Sequence, residues 1–330
     1  MSHTAITLLS GGLDSILTVR AVQKMGVTPI AVHFYMPFEH KPKDAFFESD
    51  AARYCARWGV ELKVIDVSEP FLAMFKNPEF GYGSNMNPCV DCKILMISTA
   101  GRLMKEWGAS FVATGEVAGQ RPMSQTKDTM RSIEKRCGIE GYLVRPLCGK
   151  HLPETEPEKR GIFSRETLHA LHGRGRLPQM ALAKEWGIEK YPTPAGGCLL
   201  TDPQYALRLS RLAAAGMIDR RSIDRIRISR FFQLSPAAFL SVGKDEATND
   251  RLEALADTET TLLKPAIGMG PSAVSLGFLS DDDIRNAAGI VVRYTRRDES
   301  GAVKVTRGGV TTTVCVSPIA DDDFTRMMVV

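Results

Sequence analysis

Several features are missing from this sequence of 330 residues. No run approaches the ~18 consecutive apolar residues that a membrane-spanning helix requires. The N-terminal residues MSHT lack the basic start and apolar stretch of a secretory signal. A content of 44% hydrophobic residues excludes a disordered or collagen-like protein. We therefore expect a globular chain of about two domains that stays in the cytoplasm.

A strong excess of one charge is also missing. The 42 Lys and Arg residues face 38 Asp and Glu, for a net charge of +4. This mild excess suits nucleic acid or phosphate partners without demanding either. Cysteine, in contrast, occurs seven times. An odd number of thiols without an export signal argues against a disulfide framework and for a metal or redox role of some of them.

The first part of the chain repeats one unit, an apolar strand followed by an amphipathic helix. Helix ends are predicted at Gly26, Gly59 and Gly108, where glycine supplies the left-handed cap before the next strand. The predicted strands span residues 5–9, 28–34, 61–67, 111–114 and 142–145. Strands that alternate with helices predict an α/β fold with a doubly wound parallel sheet.

A second, smaller α+β domain is predicted for residues 204–330, after a first domain of residues 1–203. The first domain should end with helices at residues 163–171 and 178–186. The second should contain an arginine-rich helix around residues 222–232 and short alternating segments at 273–278, 289–294, 302–306 and 310–316. Two acidic triplets, residues 281–283 and 321–323, are expected on solvated turns or helix starts.

The segment SGGLDS at residues 10–15 stands directly after the first predicted strand and before the first helix. Its glycines let backbone N–H groups form an anion-binding nest, and the helix N-terminus adds its positive dipole. Asp14 would be repelled by bare phosphate, so its presence calls for Mg²⁺ or another cation between them. The alternative is a glycine turn with a Ser or Asp helix cap.

Three cysteines stand in two short motifs. Cys89 and Cys92 belong to NPCVDCK, and Cys198 ends PAGGC. A lone C-x-x-C can be a redox dithiol, half of a zinc site, part of an iron–sulfur site or a structural pair. A closed zinc site is disfavoured because the chain has no second C-x-x-C. Three thiolates would hold a cubane cluster and leave one iron open. The remaining cysteines are expected to be structural, namely Cys55, Cys137, Cys148 and Cys315.

The segment 10–15 resembles the pyrophosphate loop (PP-loop) of the ATP pyrophosphatase superfamily, which has an adenine nucleotide alpha hydrolase-like fold. Its members cleave ATP between the α and β phosphates and adenylate an oxygen of their substrate. The resemblance implies that pyrophosphate is held by Ser10, Gly11, Gly12, Asp14 and Ser15. It also implies that His33 and Phe34 lie beside the adenine. Thr114 and Gly115 match a second loop on the nucleotide side.

The cysteines make the chain similar to the tRNA thiolases of that superfamily, in particular the tRNA 2-thiouridine synthases. Those enzymes show Asn-Pro-Asp-x-x-Cys and a later Gly-x-Cys. Cys92 and Cys198 match the two cysteines, whereas Cys89 replaces the aspartate. This departure resembles the iron–sulfur-dependent tRNA thiolases and implies a [4Fe-4S] cluster on the three cysteines. A persulfide on Cys198, resolved by Cys92, is the alternative. Residues 115–120 and 145–147 also resemble 4-thiouridine synthetases, so the modified position of the base stays open.

Basic residues concentrate between residues 120 and 176, where 12 Lys and Arg face 7 Asp and Glu. Contacts with RNA phosphates are expected from Arg121, Arg145, Arg174 and Arg176. A second candidate RNA surface is the helix with Arg220, Arg221, Arg225, Arg227 and Arg230. Residues 231–236, 242–249 and 270–272 resemble the small RNA-binding domain of the NFACT proteins, which implies an RNA partner. A structural cap or a dimerisation module is the alternative.

Together, the motifs and the resemblance predict an ATP-dependent tRNA sulfurtransferase. ATP and Mg²⁺ would activate a uridine carbonyl oxygen, and sulfur would displace AMP, with catalytic roles for Asp14, Cys92 and Cys198. The expected partners are tRNA and a sulfur donor, either sulfide or a persulfide carrier protein, and a homodimer is an open option. Two alternatives remain: an amide-forming or nitrile-forming synthetase, which would not need the cysteines, and a nonenzymatic RNA-binding factor.

Overall fold

The computed structural model describes residues 3–39, 42–192, 198–295 and 300–330. The chain divides into two compact units. The first contains residues 1–83 and 87–197, and the second contains residues 84–86 and 198–330. The domain boundary expected between residues 203 and 204 stays a prediction. Within the described ranges, no helix is both long enough and apolar enough to cross a membrane.

A five-stranded parallel sheet forms the centre of the first unit. Its strands are β1 (Thr4–Leu8), β2 (Thr28–Tyr35), β3 (Glu61–Asp66), β4 (Phe111–Ala113) and β5 (Leu143–Val144). Hydrogen bonds join them in the order β3-β2-β1-β4-β5. The five predicted strands and the α/β fold are confirmed. Because β1 and β4 are parallel neighbours, the loops that follow them emerge at the same edge of the sheet.

Seven helices of the first unit connect or cover these strands. They are α1 (Leu13–Lys24), α2 (Asp50–Arg57), α3 (Ser68–Lys76), α4 (Cys89–Glu106), α5 (Lys127–Arg136), α6 (Glu156–Lys159) and α7 (Leu177–Glu185). The glycines after α1, α2 and α4 have φ angles of +77°, +65° and +65°, at Gly26, Gly59 and Gly108. These left-handed conformations confirm the predicted helix ends.

One helix predicted for the first unit is wrong. Residues 163–171 contain only a short 3₁₀ helix, Arg165–Thr167. The N–H groups of His169 and Leu171 donate to the carbonyls of Pro146 and Leu147 at 2.8 and 2.9 Å. This pairing with a distant segment replaces the local hydrogen bonds that a helix would need. The other predicted helix, at residues 178–186, is confirmed as α7.

The second unit contains a six-stranded antiparallel sheet with helices, so the predicted α+β class is confirmed. The strands are β6 (Arg230–Ser235), β7 (Ala238–Val242), β8 (Thr261–Pro265), β9 (Ala273–Leu276), β10 (Gly301–Arg307) and β11 (Val310–Val316), in the order β11-β10-β8-β9-β7-β6. The helices are α8 (Pro203–Ala214), α9 (Arg220–Ile228), α10 (Glu246–Ala254), α11 (Asp281–Tyr294) and α12 (Asp321–Met327), preceded by a 3₁₀ helix, Leu199–Thr201.

Two segments of the second unit correct the sequence analysis. The segment 289–294 belongs to α11, whose buried face packs on the sheet, and is not one of the short alternating segments. The arginine-rich helix ends at Ile228, and residues 230–232 already pair in β6. Both acidic triplets occupy the first turns of helices, α11 and α12, which confirms their expected position at the positive end of the helix dipole.

Candidate functional site

The segment 10–15 leaves β1 and enters α1. Gly11 has a φ angle of +86°, a left-handed conformation that favours glycine. Gly12 is the N-cap of α1 and offers no side chain to the first N–H groups of the helix. Ser15 donates a hydrogen bond to the Gly12 carbonyl at 2.7 Å, whereas Ser10 is exposed. The loop therefore presents backbone N–H groups and a hydroxyl at a helix N-terminus, an arrangement that suits a phosphate group.

The loop after β4 packs directly against this segment. A Cβ atom at Gly115 would lie 2.8 Å from the carbonyl carbon and oxygen of Asp14 and 3.0 Å from the amide nitrogen of Ser15. Such distances leave room only for glycine. The buried Thr114 side chain donates to Glu116 at 3.1 Å and so joins the interior of the unit. The two loops predicted to face the nucleotide are thus in contact through their main chains.

The Asp14 carboxylate is a charged group at the edge of the sheet where the loops after β1 and β4 meet. Its Oδ2 accepts a hydrogen bond from Gln120 Nε2 at 2.8 Å and forms an ion pair with Arg176. Gln120 in turn accepts from Gln179 at 3.0 Å. The second oxygen, Oδ1, is buried and has no hydrogen-bond partner within the described ranges. A carboxylate oxygen of this kind is a suitable ligand for Mg²⁺, so the residues present fit the predicted cation.

The two residues expected beside adenine have different environments. His33 is buried, with Nδ1 at 3.0 Å from the Leu9 carbonyl and Nε2 at 3.2 Å from Glu39. Its ring stacks on Phe46 at 3.5 Å, and the Phe46 ring also lies beside Gly11. Phe34 points into the hydrophobic core on the other face of the sheet. A contact of residue 34 with a nucleotide would therefore have to come from its main chain.

A buried ion cluster lies behind the two loops. The Glu116 carboxylate binds Lys93 Nζ at 2.7 Å and Arg145 Nε at 3.0 Å. Arg145 also pairs with Glu134 at 2.9 Å and donates to the Met130 carbonyl at 3.2 Å. Burial alone would raise the pKa of Glu116, but the two cations lower it to about 2. Glu116 is therefore ionised. Its ion pairs link the loop after β4 to α4 through Lys93 and to the segment after β5 through Arg145.

The cysteine pair occupies the first turn of α4. Cys89 and Cys92 are three residues apart, which places both thiols on one face of the helix. Both are half-buried, and the Cys89 thiol contacts Ser124 Oγ at 3.2 Å. Between them, the buried Asp91 accepts hydrogen bonds from the backbone N–H groups of Glu79 and Phe80 at 2.9 and 3.1 Å. Two thiols on one helical face are soft ligands, so the pair suits a soft metal or a sulfur-transfer step.

Cys198 belongs to the second unit, where it is exposed and precedes the 3₁₀ helix at Leu199–Thr201. The rest of its motif, residues 194–197, lies outside the described residues. In the parts of the chain that are described, no three potential metal ligands converge. The ligation of the predicted cluster by Cys89, Cys92 and Cys198 therefore stays a prediction. Burial raises the pKa of Cys55 and of Cys148 to about 11, which suits structural thiols.

The predicted RNA-binding arginines separate into three groups. Arg121 and Arg174 are exposed, as a phosphate contact requires. Arg176 lies at the start of α7 and pairs with Asp14, so it faces the phosphate loop. Arg145 corrects the sequence analysis, because its side chain is 4% exposed and committed to two carboxylates. The second candidate surface is also corrected, because Arg225 in the middle of α9 is fully buried.

Several residues of this site were missed by the sequence analysis. They are Phe46, Lys93, Gln120 and Gln179, together with the partnership between Glu116 and Arg145. Lys93 ends the segment NPCVDCK, and Glu116 directly follows Thr114 and Gly115. Their positions next to predicted site residues could have indicated that they belong to the site. The pairing of Gln120 with Gln179 joins positions far apart in the chain and had no such signal.

Family comparisons divide the chain into two parts. Residues 1–155 match the family model of the thiamine biosynthesis protein (ThiI), and residues 229–328 match that of the NFACT protein RNA binding domain. A protein of Thermococcus kodakarensis named "Probable tRNA sulfurtransferase" is 32% identical over 165 residues, which cover 49% of this chain and 42% of that protein. The chain thus spans less than half the length of this curated relative.

Two solved structures resemble the chain at low scores. One is the U34-tRNA thiolase NcsA from Methanococcus maripaludis with its [4Fe-4S] cluster, with 19% identity, a TM-score of 0.35 and coverage of 68% of this chain and 73% of that chain. The other is a 4-thiouridine synthetase–RNA complex with bound ATP, with 23% identity, a TM-score of 0.40 and coverage of 56% and 41%. These scores are too low to assign an activity. The family matches, in contrast, show that the chain combines a ThiI-type domain with an NFACT-type RNA-binding domain.

Proposed function

We propose that this chain is an ATP-dependent tRNA sulfurtransferase of the cytoplasm. The observation that carries the proposal is a chain of contacts within the first unit, from the cysteine pair to the phosphate loop. Lys93, next to Cys92, binds Glu116 at 2.7 Å, and the neighbouring Gly115 touches the main chain of Asp14. Such an arrangement supports one reaction that uses both thiols and ATP.

The proposed reaction assigns a role to each of the groups that lie at the carboxyl ends of β1 and β4. A uracil carbonyl oxygen is a poor leaving group, so it must be activated before sulfur can replace it. The N–H groups at the start of α1 bind the pyrophosphate portion of ATP while the uracil oxygen attacks the α phosphate. Asp14 would hold Mg²⁺, which would supply positive charge for the departing pyrophosphate. Arg176, which pairs with Asp14 without nucleotide, is placed to bind a phosphate when ATP arrives.

Sulfur then displaces AMP from the activated carbon. Cys89, Cys92 and Cys198 are the residues that would hold a [4Fe-4S] cluster, which supplies an iron for exogenous sulfur when it is bound. The position of Cys89 and Cys92 on one helical face fits two adjacent ligands of such a cluster. In the alternative, a persulfide carrier protein transfers its outer sulfur to Cys198, and this sulfur displaces AMP. The Cys92 thiolate then attacks the Cys198 sulfur, which releases the thiolated base and leaves a Cys92–Cys198 disulfide that an external thiol reduces. The sulfur donor is sulfide or a persulfide carrier protein, and a homodimer is the proposed assembly.

The comparisons support tRNA as the substrate. The relative of Thermococcus kodakarensis carries the name tRNA sulfurtransferase, and the second unit matches an RNA-binding family over most of its length. The exposed Arg121 and Arg174 are the proposed phosphate contacts. We expect the target uridine to leave its stack, because its base has to reach the half-buried thiols of Cys89 and Cys92.

The test is sulfur incorporation into RNA. The purified full-length chain is incubated without oxygen with ATP, Mg²⁺, sulfide and unmodified tRNA, and the nucleosides are analysed by mass spectrometry. We expect a 2-thiouridine or 4-thiouridine that requires ATP, and its loss in Cys92→Ala but not in Cys315→Ala, an exposed cysteine outside the predicted set. Consumption of ATP with a carboxylate and ammonia, and without tRNA, would assign the synthetase alternative instead.

The cluster has its own test. Iron and acid-labile sulfide are measured in the anaerobically purified protein and in Cys89→Ala, Cys92→Ala and Cys198→Ala, with Cys315→Ala as the control. We expect iron and sulfide in wild type and control, and their loss in each of the three variants. A protein that stays colourless and metal-free after anaerobic reconstitution, yet thiolates tRNA when a persulfide carrier protein replaces sulfide, would favour the persulfide route.

A further inference from the structure

The second unit contains a cleft that the proposed reaction does not use. Its volume is about 530 Å³, which is within the range of small-molecule sites. The cleft is lined by residues before and within α9, by the turn after α10, and by the ends of β9 and β10. All of these residues belong to one compact unit.

One wall of the cleft is an exposed aromatic ring. Phe278 is 73% exposed. The guanidinium carbon of Arg307 lies 3.9 Å from the centre of the Phe278 ring, and Arg307 also donates to the Leu279 carbonyl at 3.3 Å. Aromatic rings and guanidinium planes are the groups on which proteins stack unpaired bases.

The position of this ring is set by the main chain. Gly277 has a φ angle of +82°, and a Cβ atom there would lie 2.3 Å from the Ala237 carbonyl oxygen. Only glycine allows so close an approach to the residue before β7. The turn at Gly277 therefore holds Phe278 at the rim of the cleft rather than in the core.

The charges of the cleft are balanced. The arginines that line it are Arg221, Arg225 and Arg307. The carboxylates that line it are Asp219, Asp257 and Glu259. Arg221 is paired with Asp257, and the buried Arg225 donates to the Ser275 carbonyl at 3.1 Å. The Arg225 Nε atom is buried and has no hydrogen-bond partner within the described ranges.

The equal numbers of positive and negative side chains in the cleft affect phosphate groups and nucleobases differently. A phosphate group would be repelled by the carboxylates, and a phosphate site would need an excess of cations. A nucleobase is uncharged and offers both a flat face and an edge with donors and acceptors. A neutral cleft with donors, acceptors and an exposed ring therefore fits the base better than the phosphate.

We propose that this cleft binds one unstacked nucleobase of an RNA, with Phe278 and Arg307 as its stacking platform. The site would anchor a single-stranded part of the substrate through the second unit. The proposal rests on the proposed function only for the identity of this RNA as tRNA.

The first experiment uses a fluorescent variant of the full chain. The three native tryptophans all lie in the first unit, at Trp58, Trp107 and Trp186, so Phe278→Trp adds a single reporter to the second. We titrate it with a single-stranded oligouridylate and with an abasic RNA of the same length and charge, without ATP. The proposal predicts saturable quenching by the oligouridylate, absent from wild type, and little or none by the abasic RNA. Equal responses to both RNAs, or no quenching, overturn it.

The second experiment measures affinity. Phe278→Ala should weaken binding of the oligouridylate about tenfold. The control Val310→Ala removes an equally exposed apolar side chain that does not line the cleft and should leave binding unchanged. Unchanged binding in Phe278→Ala, with an unchanged melting temperature, overturns the proposal. Base-dependent binding together with an absence of tRNA thiolation would support the nucleobase site in the cleft and contradict the proposed function.

Discussion

Two arginine–carboxylate pairs in the first unit have the same chemistry and different surroundings. In the pair of Arg145 with Glu116, both side chains are 4% exposed and every charge has further partners. In the pair of Arg176 with Asp14, the side chains are 23% and 16% exposed, and one buried carboxylate oxygen is left without a hydrogen-bond partner among the described residues. The closed pair therefore supports the fold, whereas the open pair lies beside the helix N-terminus at which we propose that phosphate and Mg²⁺ bind.

Breaking the closed pair should have the largest effect. Glu116→Gln removes the carboxylate shared by Lys93 and Arg145 and leaves Glu134 as the remaining carboxylate partner of Arg145. The free energy of unfolding should fall by about 3–5 kcal/mol. Urea unfolding followed by tryptophan fluorescence reports this unit, because all three tryptophans lie in it. Asp14→Asn is the matched control, with an expected loss below about 1 kcal/mol since its pair is partly solvated. Equal losses in the two variants would contradict the comparison.

Acid should also lower the free energy of unfolding, because it protonates Glu116 of the closed pair. The folded pKa of Glu116 is about 2, below its ordinary value of 4.5, so its contribution is complete above the unfolded pKa. As pH falls from about 4.5 towards 2, the unfolded state takes up the proton first, and about 3 kcal/mol of stability is lost. Unfolding free energies at several pH values in this range measure the slope. Glu116→Gln should flatten it, and an unchanged slope in that variant would assign the acid sensitivity to other groups.

Breaking the open pair should instead affect catalysis. Asp14→Asn removes the proposed cation ligand and should slow pyrophosphate release from ATP about 100-fold, with little change in the melting temperature. The control Asp44→Asn alters an exposed carboxylate of the same unit and should retain full activity. Wild-type rates in Asp14→Asn at saturating Mg²⁺ would remove Asp14 from the mechanism.

A smaller effect is expected where the two loops touch. Gly115→Ala places a methyl group 2.8 Å from the Asp14 carbonyl and must displace the phosphate loop, at a cost of about 1–3 kcal/mol. We expect ATP affinity, measured by calorimetry, to fall about tenfold. Gly175→Ala is the control, because nothing lies within 4 Å of a Cβ atom there. Equal affinities in the two variants would show that the contact between the loops does not matter for nucleotide.

The parts of this site that follow one another in the chain were predictable. The strand, the segment 10–15 and the start of α1 are consecutive, so periodicity and the glycines indicated the phosphate loop. The left-handed glycines after three helices were predictable for the same reason. The cysteine pair is also local, and its position on the first turn of α4 follows from its spacing once that helix is known.

The parts that depend on distant partners were not predictable. Arg145 looked like a surface cation until its partner, 29 positions earlier in the chain, was seen beside it in the interior. Arg176 is 162 positions from Asp14, and only the folded sheet brings them together. The segment 289–294 contains the consecutive β-branched residues Ile290, Val291 and Val292, which favour a strand, but they are buried against the second sheet as part of α11. Tertiary contacts, rather than local propensity, decided each of these positions.

The most direct test of the account measures two products of one reaction. Pyrophosphate and thiolated nucleoside are quantified together for wild type, Cys92→Ala and Asp14→Asn, with ATP, sulfide and tRNA present. We predict both products for wild type, tRNA-dependent pyrophosphate without thiolated nucleoside for Cys92→Ala, and about 100-fold slower formation of both products for Asp14→Asn. Thiolated nucleoside at the wild-type rate in either variant would contradict the claim that the phosphate loop and the cysteine pair serve one thiolation reaction.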